Sequence, residues 1–162
     1  MKPRMDALLF IILAGVFFVY VGQAATNGTF LSVASNAAST VFSGGKLSPA
    51  QIAAYASQAG FSGDDIVTAV AVALAESNGN PNAYDPETAA GAPEGLGSYG
   101  LWQIYLKAHP EFANYNLFDP AQNADAALQV WAAAGGSWNP WSTYKSGAYQ
   151  AFIDTASQAV NA

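Results

Sequence analysis

Ala73-Leu74-Ala75-Glu76-Ser77-Asn78-Gly79-Asn80-Pro81 is the stretch on which the reading turns. An apolar run with helical spacing reaches a glutamate and is broken at once by Asn-Gly-Asn-Pro, a combination that ends a helix and turns the chain sharply. Ala69, Val72 and Ala73 fall on the same side as Glu76, because residues three, four and seven apart share a helix face. The acid therefore closes a stripe of small residues against which another element can pack. A carboxylate carried into apolar surroundings loses hydration, which favours its neutral form and raises its pKa. Such an acid stays protonated near neutral pH and can give a proton to a leaving group. The competing reading is a solvated glutamate at a fraying helix end. The sharp stop after it, which can build a cleft wall, favours the first.

Working outward, the punctuation is helical. Ser48 followed by Pro49 predicts an N-cap and first turn, with Gly60 closing that helix. Ser62 with Asp65 three residues later is expected to open the helix that carries Glu76. Asp119-Pro120 starts another, with Ala124, Ala127, Leu128 and Trp131 on one face and Gly135-Gly136 as its stop. Ser146 is expected to cap a last helix bearing Tyr149, Phe152, Ile153, Ala156 and Val160. Only a short piece near Leu101–Tyr105 reads as strand. The expected class is mainly α.

A second unusual segment is Gly95-Leu96-Gly97-Ser98-Tyr99-Gly100-Leu101-Trp102-Gln103-Ile104. It satisfies G-x-G-x-x-G, but no strand precedes it and no βαβ unit surrounds it, so a nucleotide site is disfavoured. Glycines here serve better to let backbone and Gln103 approach a ligand. Trp138, Trp141, Tyr144 and Tyr149 read either as core or as groove lining. The placement of Trp138-Asn139-Pro140-Trp141 in a loop between helices favours a groove.

Composition narrows the chemistry. Cysteine is absent, which excludes disulfides, thiolate nucleophiles and cysteine-ligated zinc. The single histidine, His109, has no partner at metal-ligand spacing and no nucleophile elbow to serve. No cofactor and no metal are expected, and chemistry falls to carboxylates. The net charge is −6, which repels phosphate backbones and makes nucleic acid an unsuitable partner. A neutral polymer read by aromatic rings and hydrogen bonds fits better.

The N-terminus has its own logic. Ala7 through Val21 is unbroken apolar sequence behind Lys2 and Arg4. As a helix it reaches about 22 Å, and extension through Ala25 brings it near the roughly 30 Å of a bilayer core. A cleaved signal peptide and a retained anchor both fit, and the anchor is the favoured expectation. Lys2 and Arg4 then keep the N-terminus cytoplasmic and place the remainder on the periplasmic or outer side. The expected organisation is an anchor over residues 1–25, a Ser/Thr/Gly/Asn-rich linker over 26–45 and a helical domain over 46–162.

Taken together, these residues resemble the lytic transglycosylases of the soluble-lytic, lysozyme-like type. The resemblance rests on Glu76-Ser77 with Asn80-Pro81-x-Ala83, on Gly97-x-x-Gly100-Leu101-x-Gln103-Ile104, and on Phe118-Asp119-Pro120-x-x-Asn123, in that order. It covers roughly Asp64 to Tyr149. It implies a lysozyme-like α-helical domain that cleaves peptidoglycan with Glu76 as the single catalytic residue. That residue protonates the oxygen between N-acetylmuramic acid and N-acetylglucosamine. It then acts as base on the muramoyl 6-hydroxyl, which closes a 1,6-anhydro ring. By the same resemblance Ser77 and Gln103 are expected to hold the sugar, Asn123 to lie near the cleft and Tyr144 to stand as partner of the acid; Tyr99 and Trp141 are expected to bind the sugar beside them.

Two departures stand out. Ala83 to Leu96 is a longer separation of the leading motifs than compact members show. Trp141-x-x-Tyr144-x-x-Gly147 replaces the usual Ala-Tyr-Asn, as in some phage-borne versions. A hydrolytic muramidase using Asp85, Glu87 or Glu94 as second carboxylate is the enzymatic alternative. A non-catalytic glycan-binding or structural membrane protein of a virion is the alternative of another class. The expected setting is local wall opening as a phage enters its host, with a bacterial secretion or pilus system as the competing one.

Overall fold

A computed structural model describes residues 45–162. The expected anchor and nearly all of the linker lie outside the described residues. Among the described residues no helix is long and apolar enough to cross a membrane.

Helix α1 spans Pro49–Ala59. Ser48 caps it by accepting from the Gln51 N–H, and the Gln51 side chain accepts from the Ser48 N–H in return. Two otherwise unpaired donors are thus satisfied reciprocally. Gly60 follows the last turn and donates to the carbonyls of Ala56 and Ser57.

Helix α2 spans Asp64–Ser77 and is the centre of the domain. Every residue from Ala69 to Leu74 is buried, so the helix is enclosed on all sides rather than along one stripe. It packs against α1, against helix α5 (Ile153–Val160), and against the 3-10 segment Ala148–Phe152 that precedes α5. Alternating alanines at 69, 71 and 73 keep its surface low enough for these neighbours to approach. The expected Ser62 cap is corrected: Gly63 occupies the N-cap with no side-chain bond, and Ser62 contributes only its carbonyl to the Asp65 N–H. Asp64 and Asp65 in the first turn complement the helix dipole instead. Asn78, in left-handed conformation with φ 52°, ends the helix immediately after Ser77. The next residue, Gly79, accepts from the Leu47 N–H at 2.8 Å, which ties the end of α2 to the entrance of α1.

Beyond α2 the chain forms a three-stranded antiparallel sheet of two-residue strands, β1 (Tyr84–Asp85), β2 (Ser98–Tyr99) and β3 (Ile104–Tyr105). Tyr84 faces Tyr99, and Tyr99 faces Ile104. Helix α3 spans Pro120–Ala133, with Asp119 Oδ1 accepting from the N–H groups of Ala121 and Gln122 at 3.0 Å. The C-terminal part departs from expectation. There is no single helix capped by Ser146: a one-turn helix α4 (Ser142–Lys145), the 3-10 segment and α5 follow one another, broken at Gly147 with φ 79°.

Core packing is unusually rich in indoles. Trp102 is fully buried and donates its Nε1–H to the Ala69 carbonyl of α2 at 2.9 Å. Trp141 donates in turn to the Trp102 carbonyl at 2.8 Å. Trp138 stacks on Phe61 with ring centroids 5.1 Å apart. These bonds spare the indoles the desolvation cost of an unpaired N–H in an apolar interior, whereas the buried Trp131 Nε1 has no partner among the described residues.

Candidate active site

The end of α2 delivers Glu76 to a half-buried position beside α4. Thr143 Oγ1 donates to Glu76 Oε1 at 2.7 Å. Burial pushes the Glu76 carboxyl above its ordinary range. The Thr143 hydroxyl and backbone N–H oppose that rise by favouring the ionised form, and the negative charge of Glu87 adds to it. The result is a carboxyl group biased toward its protonated state at the margin of the core.

Glu87 comes from the long segment between the leading motifs. It adopts a left-handed backbone, φ 53°, at the start of the 3-10 turn Thr88–Ala90. Its N–H donates to Asp85 Oδ1 at 2.8 Å, and its Oε1 accepts from Ser98 Oγ at 2.7 Å. The turn is tied from outside by Lys107, whose Nζ donates to the carbonyls of Ala90 and Gly91 at 3.3 and 2.9 Å. Of the three loop acids, Glu87 is the one whose charge reaches Glu76.

The glycine-rich segment proves to be scaffold for this arrangement. A side chain at Gly97 would run into the Asp85 carbonyl across the β1–β2 pair. One at Gly100, where φ is +74°, would meet the Leu117 carbonyl and the Asn123 amide. Gln103 is a non-glycine residue with φ 46°, a conformation that costs energy and persists only where surroundings enforce it. Its Nε2 bridges the carbonyls of Gly100 at 2.9 Å and Ala83 at 3.2 Å. Among the described residues its Oε1 takes no hydrogen bond, so a donor on a ligand can use it.

The remaining expected contacts divide sharply. Ser77 follows Glu76 and donates its hydroxyl to the Ala73 carbonyl at 2.9 Å, so toward a ligand it can only accept. Tyr99 donates to the Gly95 carbonyl at 2.9 Å and lies between the rings of Tyr84 and Phe118. Asn123 is corrected from sugar contact to structural bracket, because it is 0% exposed and its amide is fully committed to Trp102, Tyr99 and Leu117. Trp141 is corrected likewise: it is 5% exposed and belongs to the core. Trp138 shares that fate, so the loop between α3 and α4 turns its indoles inward. Tyr144 stacks on Tyr149 with centroids 4.7 Å apart. The partner of the acid is its neighbour Thr143, which lay unnoticed between Trp141 and Tyr144 in a motif already singled out.

A family model described as a lysozyme-like domain matches residues 53–143, more than half of the chain. The chain belongs to that family. No curated protein and no solved structure matches it. The matched part of this lysozyme-like domain begins within α1 and ends on Thr143. It thus contains the acid, the loop carrying Glu87, the Gly97–Gln103 turn and the hydroxyl that holds the acid. Membership supports glycan cleavage as the activity and peptidoglycan as the substrate class.

Proposed function

We propose that the chain is a peptidoglycan lytic transglycosylase in which Glu76 is both the acid and the base. The observation that carries this is the half-buried Glu76 carboxyl, pushed toward its neutral form and held at one oxygen by Thr143. In the first step its proton passes to the glycosidic oxygen as the bond from the muramoyl C1 breaks. The positive charge developing at C1 is met by the substrate's own acetamido oxygen, which supplies what a second carboxylate gives ordinary glycosidases. In the second step the 6-hydroxyl attacks C1 while its proton returns to Glu76. The carboxyl is regenerated and a 1,6-anhydro end is left. Ser77, Tyr99, Gln103 and Tyr144 are the residues assigned here to hold the sugars, Gln103 through its free Oε1.

One observation favours a second reading. Glu87 is held by Ser98 within electrostatic reach of Glu76, and a carboxylate so placed can act as base for water in a hydrolytic muramidase. Mass spectrometry of digested peptidoglycan separates the two. Anhydro ends that persist in Glu87→Gln support the transglycosylase. Reducing ends in the wild type, lost in Glu87→Gln, favour the hydrolase.

The setting is part of the same proposal. We place the domain beyond a membrane, held by residues 7–25, for local wall opening as a phage enters its host. Detection of the chain in purified virions tests this, and its absence from them counts against it.

A further inference from the structure

We propose that Thr143 is a positioning residue that fixes which oxygen of Glu76 carries the catalytic proton. The proposal rests on reading Glu76 as the acid. Thr143 Oγ1 lies 2.7 Å from Glu76 Oε1, bridging α4 to the end of α2 across 67 residues of sequence. In that bond the hydroxyl is the donor and Oε1 the acceptor. Oε1 is therefore kept as an acceptor, and in the neutral acid the proton resides on Oε2. Among the described residues Oε2 has no hydrogen-bond partner, so that proton is free to be handed to a ligand. Without the hydroxyl, either oxygen can carry the proton, and the acid spends part of its time presenting the wrong one.

Threonine suits this task because branching at Cβ restricts its side-chain rotation, so the hydroxyl stays on station at low entropic cost. The charged group that acts on Glu76 is Glu87, from the segment between β1 and the 3-10 turn Thr88–Ala90. Its repulsion disfavours ionisation but selects neither oxygen. Selection therefore falls to Thr143.

The experiment compares Thr143→Val and Thr143→Ser in the full chain, with Glu76→Gln in the same assay. Thr143→Val keeps the shape and removes the hydroxyl. Expected are a kcat lower by about tenfold, a part of the roughly 10²–10⁴-fold that proton transfer contributes, and a nearly unchanged KM. The alkaline limb of the pH–kcat profile should move upward, because a donor favouring the ionised acid is gone. Thr143→Ser should restore both. Wild-type kcat with an unmoved limb in Thr143→Val overturns the proposal, as does a serine variant as impaired as the valine one. Should the valine variant fail to fold, Thr143→Ala carries the same readouts. An active Glu76→Gln instead overturns the underlying assignment of the acid, so the two failures are distinct.

Discussion

Asn123 Oδ1 accepts the backbone N–H of Trp102 at 2.9 Å, while its Nδ2 donates to the carbonyls of Tyr99 and Leu117 at 2.9 and 3.0 Å. One amide from α3 thus closes the backbone of the turn that leads to Gln103. Asn123→Ala should leave two buried backbone groups and a part-buried one without partners and cost about 3–5 kcal/mol of stability. A fall in the denaturant midpoint, with normal turnover per folded molecule, is the expected outcome. Full stability with weakened glycan binding would show that Asn123 touches substrate instead.

Trp141 makes the complementary case. Its Nε1–H reaches the Trp102 carbonyl at 2.8 Å, and its ring lies 5.0 Å from that of Trp138. Trp141→Phe keeps an aromatic ring but strands a buried carbonyl, at a cost of about 2 kcal/mol. Thermal unfolding should register the loss while KM for peptidoglycan stays near the wild-type value. A raised KM with unchanged unfolding would restore Trp141 to the groove.

Stability should also depend on pH through Glu76. Its carboxyl is raised in the folded state above the ordinary 4.5, chiefly by burial. The folded chain therefore holds a proton that the unfolded chain releases, and stability declines as pH rises from that value through the folded one. Glu76→Gln keeps an acceptor for Thr143 and cannot ionise. Urea titrations across this range should show a shallower decline for the variant, with the variant more stable at neutral pH. An equal pH dependence in both would mean that Glu76 is not desolvated.

Much of this was written locally and could be read. The ends of α1 and α3 follow from Ser48-Pro49 and Asp119-Pro120, where a cap needs only residues two or three apart. The end of α2 at Ser77 follows from Asn78-Gly79 for the same reason. Of the sheet, the piece near Leu101–Tyr105 is legible and holds β3, whereas β1 and β2 are hidden because two-residue strands cannot display alternation. A loop position does not say which way a ring turns, and here Trp138 and Trp141 turn inward, where Asp65 and the buried Trp102 carbonyl supply partners for their N–H groups. Thr143 was illegible for a different reason. Its bond to Glu76 exists only once α4 packs on α2, and no spacing along the chain announces it.

The most direct test of the central claim is the rate at which Glu76→Gln releases soluble muropeptides from purified peptidoglycan, measured beside its binding to the same sacculi. A chain that binds like the wild type, unfolds at an equal or higher denaturant concentration, and releases nothing above background is the predicted result. Release at the wild-type rate would contradict the account, since an amide in that position has no proton to give.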